Sequence, residues 1–280
     1  MSTARRTDPI VRVEDLDTLP ALVLLDARSG PKGREAYERG HLEGAGHIDL
    51  DRDLARPAPD ASQGGRHPLP APEDFARTLS RLGITPGHTV VVYDDQGGAN
   101  AAARAWWTLR AIGHREVYVL DGGLHAAVAS GRSLSGSPAP ASTATYPPRP
   151  FDAPLATLED VDARRTDPSW VVLDVRAAVR YRGEEEPIDP VAGHIPGAVN
   201  VPLTENLAPG GRFRPAEELR ALYEGVLGDV PPERLIVHCG SGVTACHTLL
   251  ALDRAGLHGA RLYNGSFSEW CRRPGLPIAP

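Results

Sequence analysis

The second half of this 280-residue chain repeats the motif order of the first. LVLLDARSG at 22–30 returns as WVVLDVRAA at 170–178, and GHLEGAGHIDL at 40–50 returns as GHIPGAVNVPL at 193–203. Further on, TVVVYDDQGGANAAARAWWTLRAIG (89–113) parallels RLIVHCGSGVTACHTLLALDRAG (234–256), and VYVLDGGLHA (117–126) parallels ARLYNGSFSE (260–269). Equivalent residues keep a near-constant separation: 148 from Asp26 to Asp174, 153 from His41 to His194 and 143 from Gly122 to Gly265. A fixed order at a fixed offset is the mark of a tandem duplication, so each copy must build its own core. Residues 133–154, dense in Pro, Ser and Ala and without periodicity, read as an extended, solvated connection. The expected division is a first domain at 1–135, a linker at 136–154 and a second domain at 155–280.

Within each copy, short apolar runs alternate with longer amphipathic ones. ALVLLD, PEDFARTLSRLG, TVVVYD, ANAAARAWWTLRAIG and VYVLDGG follow one another in the first. That alternation predicts an α/β fold, a mainly parallel sheet in each domain with helices on both faces. Ligands of such sheets sit beyond the carboxyl ends of the strands, where the strand-to-helix loops gather. The loop at 239–245 is one of these.

Charge and cysteine content narrow the classes. The formal net charge is -6 and Lys32 is the only lysine, which is no nucleic-acid footprint. Three cysteines, Cys239, Cys246 and Cys271, with no CxxC pair, argue against a disulfide framework or a structural zinc site and favour a reducing compartment. No window reaches the roughly 18 apolar residues of a membrane span, and the opening MSTARRTDPIVRVEDLDTLP lacks an apolar stretch after its two arginines. The expectation is a cytoplasmic protein without membrane, nucleic-acid or cofactor requirements.

The sharpest chemical signal is the strand LIVH running into Cys239, with Gly240, Ser241 and Gly242 ahead of an apparent helix from Val243. The glycines let the backbone curl so that several N–H groups point inward. A thiol placed there faces unpaired donors and the positive end of the helix dipole, both of which favour the thiolate nucleophile. The bland alternative is a small buried cysteine at a strand end, which has no need of a glycine-rich turn. The nucleophile reading requires a sulfur that solvent and reagents can reach.

These residues carry a family resemblance. CGSGVTA after a strand in the second of two repeats, with LDVR, YRG and GHIPGAVNVP ahead of it, resembles the active-site signature of two-domain rhodaneses, and in particular their mercaptopyruvate-using branch. The resemblance spans about Leu22 to Trp270. It implies two rhodanese-like domains, of which only the second is catalytic, and sulfur carried as a persulfide on Cys239. The sulfur would pass from 3-mercaptopyruvate, with pyruvate released, to a thiol, cyanide or a thioredoxin-like protein. Thiosulfate as donor is the alternative within the family. In the first copy Asp94 stands where Cys239 would fall, which implies a lost nucleophile and a structural role.

Further roles follow by the same resemblance. Ser241, His67 and Asp51 are the expected proton relay, an acid orienting a histidine that touches a hydroxyl. Arg180 and Arg182 of RYRGEEEP are the expected cations for a substrate carboxylate, with Gly240, Gly242, Val243 and Thr244 as the cradle. Mercaptopyruvate enzymes often carry another arginine a little further along, where this chain has EEEPIDP with Ile188 near that point. Asp26 and Asp174 are expected to brace the sheets through nearby arginines, His41 and His194 to bond backbone, and Trp106 and Trp107 to pack in the core.

Two rivals come from other classes. A cysteine phosphatase shares the HC start but needs an arginine six residues after the cysteine, where this chain has Ala245. A non-catalytic sulfur-sensing or binding module would not need an intact nucleophile with its glycines in the second copy.

Overall fold

The computed structural model describes residues 7–99, 101–137 and 144–280. Met1–Arg6 and residues 138–143 of the expected linker lie outside the described residues. In chain order the strands are β1 (Ile10–Val11), β2 (Leu22–Asp26), β3 (His41–Leu42), β4 (Gly46–His47), β5 (Thr89–Tyr93), β6 (Val117–Leu120), β7 (Leu134–Ser135), β8 (Leu155–Ala156), β9 (Val171–Asp174), β10 (Val199–Asn200), β11 (Leu235–His238) and β12 (Arg261–Tyr263). The helices are α1 (Gly33–Arg39), α2 (Leu50–Asp53), α3 (Pro72–Arg81), α4 (Ala102–Ala111), α5 (Gly123–Ala129), α6 (Leu158–Arg164), α7 (Ala178–Tyr181), α8 (Ala216–Leu227), α9 (Ala245–Arg254) and α10 (Ser266–Trp270).

The duplication is visible in the topology. One sheet runs β1-β6-β5-β2-β4 and the other β8-β12-β11-β9-β10, so each strand of the first has its counterpart in the second. Every pairing in both sheets is parallel. β3 and β7 form a separate antiparallel pair.

The valine run of β5 shows why helices must cover both faces. Val90 and Val92 join one apolar cluster, while Val91 and Tyr93 join another on the opposite face. Each aliphatic side chain so buried contributes about 1.5–3 kcal/mol. The larger cluster does not stop at the domain boundary. It takes in Trp106 and Trp107 of α4 together with Leu249 and Leu252 of α9, so the two equivalent helices pack on each other and join the domains. The carboxyl ends of β5 and β11 are thereby drawn toward the same interface.

Repeated residues perform repeated bracing. Asp26 accepts from the Arg28 guanidinium at 2.7 Å, and that guanidinium also reaches the Gly40 carbonyl. Asp174, Arg176 and Gly193 reproduce the arrangement. His41 stacks on Tyr37 and bonds its carbonyl, as His194 does with Tyr181.

The connecting segment departs from expectation. Of its described residues, Tyr146 is buried, with its N–H on the Ser80 hydroxyl, and Phe151 packs edge-on against Phe75. Two aromatic side chains pin onto the first domain a stretch whose Pro, Ser and Ala content reads as solvated.

Candidate active site

β11 ends at His238, and Cys239 opens the turn. The turn is held from outside: the Cys239 amide donates to Ser266 Oγ at 3.2 Å, while the Cys239 and Gly240 carbonyls accept from the N–H groups of Phe267 and Ser268. Gly242 has a φ of 74°, and a Cβ there would collide with the Asn264 carbonyl, so both conformation and space demand glycine. The α-helix starts at Ala245 rather than Val243, because the first bonds are tight ones, from the Cys246 amide to Val243 and from the His247 amide to Thr244. Among the described residues, none accepts from the N–H groups of Gly240, Ser241, Gly242, Val243 or Thr244, although all but Thr244 are buried. Buried amides without acceptors are uncommon, and five unpaired amides in succession beside a cysteine, four of them in buried residues, are donors suited to an anion.

The first domain reaches into this turn. His67 Nδ1 lies 2.8 Å from Ser241 Oγ, and His67 Nε2 lies 3.3 Å from Asp51 Oδ1, across 174 residues of chain in the first contact. Burial lowers the His67 pKa, against the pull of the Asp51 carboxylate, which leaves the imidazole neutral near neutrality. Asp51 sits in the first turn of α2 with its amide capped by Asp49, and its side chain stays largely exposed. Its neighbour Asp53 is buried instead and bound to Arg52 and Arg81.

Two guanidiniums lie over the turn. A Cβ on Gly240 would meet Arg66 Nη2 at 3.1 Å and both terminal nitrogens of Arg180 at 3.7 Å. Arg180 is held by Glu186 at 2.6 Å and stands 3.5 Å from Asp189. Arg182 differs from its expected place. It caps the end of α7 and bonds Glu184 at the surface, because residues two apart on a helix face different ways.

Two arginines were not anticipated from sequence. Arg66 carried a signal, its place beside His67. Arg104 is fully buried on α4, and its hydrogen bonds go to neutral oxygens: the carbonyls of Gly242, Leu54 and His67, and Asn264 Oδ1. It thus ties the cysteine loop to the histidine segment. Burial lowers its pKa, and the Cys246 and Cys239 sulfurs oppose that effect, which places a cation close to the thiol. An arginine amid AAARAWWTL was the available clue.

Cys239 itself is 1% exposed, so the thiol is covered rather than open. Of the side chains around the turn, Arg66 is 23%, Arg180 17% and His67 24% exposed, and Asp51, at 69%, is the most open. Cys246 is buried with its thiol on the Gly242 carbonyl, and burial pushes it up to about 12. Cys271 is half-buried beside Arg272 and, chiefly through burial, pushed up to about 11.

The description "Rhodanese-like domain" matches residues 12–130 and again 157–273, and the chain belongs to that family. A Pseudomonas aeruginosa protein named as a probable 3-mercaptopyruvate sulfurtransferase is 43% identical over 93% of this chain and 93% of its own length. A Mycobacterium tuberculosis protein named as a candidate thiosulfate sulfurtransferase is 38% identical over 91% of this chain and 89% of its own. Among solved structures, 3-mercaptopyruvate sulfurtransferase from Leishmania major superposes with a TM-score of 0.84 at 29% identity, covering 98% of this chain and 78% of that one. No helix among the described residues is long and apolar enough to cross a membrane.

Proposed function

We propose that this protein is a sulfurtransferase that takes sulfur from 3-mercaptopyruvate onto Cys239. The Cys239 thiolate attacks the donor sulfur; the new S–S bond forms as the C–S bond breaks, and the electron pair leaves with the carbon as the enolate of pyruvate. The thiol proton of the donor passes through Ser241 and His67, with Asp51 orienting the ring, to the enolate carbon. The loop amides from Gly240 to Thr244 hold the persulfide anion that remains. A thiol, cyanide or a thioredoxin-like protein in the cytoplasm then removes the outer sulfur and restores Cys239. The first domain, with Asp94 in place of the nucleophile, has no catalytic thiol and contributes His67 and Asp51 from across the interface.

The observation that carries this reading over thiosulfate is the Ser241–His67–Asp51 chain. A carbanionic leaving group needs a proton delivered to it, and sulfite does not. Because Cys239 is covered, the reading also requires that the groups around the thiol move aside when the donor enters. Mixing the protein with mercaptopyruvate is expected to add one sulfur to Cys239, seen by mass spectrometry, and to release pyruvate. A folded Cys239→Ser variant that releases pyruvate at the wild-type rate, or a wild-type Cys239 that resists alkylation at neutral pH, overturns it.

A further inference from the structure

Arg104 is a buried charge without a counter-charge. The two other buried arginines among the described residues, Arg28 and Arg176, each hold a buried aspartate, at 2.7 and 2.6 Å. Arg104 is buried completely, and its four hydrogen bonds all go to neutral oxygens: the Gly242 carbonyl at 2.8 Å, Asn264 Oδ1 at 2.6 Å, and the His67 and Leu54 carbonyls at 3.0 and 3.2 Å. Among the described residues its Nε has no partner and no carboxylate pairs with the guanidinium. A guanidinium stays protonated even where burial works against it, and an unpaired buried charge is costly. Neutral oxygens return only part of that cost, so the site favours a negative charge that arrives later. Two groups close to the guanidinium can carry one, the sulfurs of Cys246 and Cys239. The Cys246 thiol donates to the same Gly242 carbonyl at 3.4 Å, and burial pushes it up to about 12, so it stays neutral. Cys239 remains, at the head of the turn that Arg104 bonds.

We propose that Arg104 is the counter-ion of the sulfur anion formed on Cys239, a positioning residue supplied to the nucleophile by the domain that has none of its own. It acts in two ways. Its charge lowers the energy of a negative sulfur on Cys239 in a place where water screens little. Its bond to the Gly242 carbonyl fixes the turn whose amides receive that anion, while its bonds to the His67 and Leu54 carbonyls anchor the same guanidinium in the first domain. Charge and turn therefore keep one geometry only when the two domains are packed together. An arginine placed for structure alone would be expected to have a carboxylate, as Arg28 and Arg176 do.

This inference takes its anion from the sulfur-transfer reading, and the test separates the two. Wild type, Arg104→Met and Arg104→Lys are each divided into a free sample and a persulfide-loaded one. Loading is done chemically with inorganic polysulfide, one added sulfur on Cys239 is verified by peptide mass spectrometry, and both samples are unfolded in urea. The stabilisation gained on loading, read as a change in the unfolding equilibrium constant, is expected to be roughly 10- to 100-fold smaller in Arg104→Met than in wild type, the effect of losing one charge-assisted partner. Arg104→Lys should keep part of the gain. A merely structural arginine would weaken free and loaded protein alike, so an equal gain in wild type and Arg104→Met, or a lysine variant that behaves as the methionine one does, overturns the counter-ion assignment while sulfur transfer stands. Where Arg104→Met does not fold, Arg104→Gln, neutral but still able to donate to the Gly242 carbonyl, takes its place with the same expectation. A wild-type protein that takes no sulfur onto Cys239 from mercaptopyruvate overturns the sulfur-transfer reading alone, and one that takes none from polysulfide either overturns both.

Discussion

The turn after β5 and the turn after β11 occupy equivalent places in the two copies and handle negative charge in opposite ways. In the first, the Asp94 carboxylate is buried and accepts from the amides of Gln96 at 2.9 Å, Gly98 at 2.8 Å and Ala102 at 3.1 Å. Burial raises its pKa and those three bonds counter the rise. In the second, Cys239 stands at the equivalent position and the amides that follow it have no acceptor among the described residues. One backbone design is thus filled permanently by its own side chain and, in the other copy, left for an anion that arrives with the reaction. Leaving buried donors unpaired costs about 1–3 kcal/mol each, so the open turn lowers stability in exchange for a persulfide site.

The comparison can be broken by making the second turn resemble the first. Cys239→Asp is expected to lower sulfur transfer by more than roughly 10⁴-fold, since the nucleophile is gone, while raising stability to urea by about 1–3 kcal/mol as the new carboxylate takes the idle amides. Unfolding curves and pyruvate assays on the same samples check both; a less stable variant would mean that the two turns are not equivalent cradles.

A second difference is that only the turn bearing the cysteine receives a histidine on its serine. His67→Asn should lower kcat roughly 10²- to 10⁴-fold. The wild-type rate should hold at pH 6.5 and fall only below it, because the His67 pKa is depressed and the ring must be neutral to accept a proton. The variant should lack that acid limb. The smallest effect is expected on the other side of the comparison: Asp94→Ala orphans three amides and should cost on the order of 3 kcal/mol of stability. Sulfur transfer per folded molecule should change by less than about twofold, because the Asp94 carboxylate bonds amides of the first-domain turn, which carries no nucleophile. Thermal unfolding and assays below the transition distinguish these outcomes.

Much of this was legible in the order of residues. The repeat announced two like sheets, and the β5 valines with their alternating faces announced burial on both sides. Val90 and its neighbours act through contacts that recur with period two, which a linear pattern records directly. The same holds for Cys239 and Gly242, whose turn is specified by neighbours within a few positions. What the pattern misread was side-chain direction and coverage. Arg180 and Arg182 look alike in RYRGEEEP, yet one lies over the loop and the other faces solvent. Cys239 was expected to be open and is 1% exposed.

By itself, then, the sequence determined the duplication, the parallel α/β architecture and the single thiol on a glycine-rich turn, because strand period, helix period and turn conformation are local properties of the chain. Only the tertiary structure decided that Arg66 and Arg104 meet that turn and by which contacts the expected His67 and Asp51 join it, since each is more than a hundred residues from Cys239 and reaches it only once the two domains pack together. The physical reason is that complementarity between two packed surfaces depends on residues far apart in sequence, and no local periodicity encodes which of them will face each other.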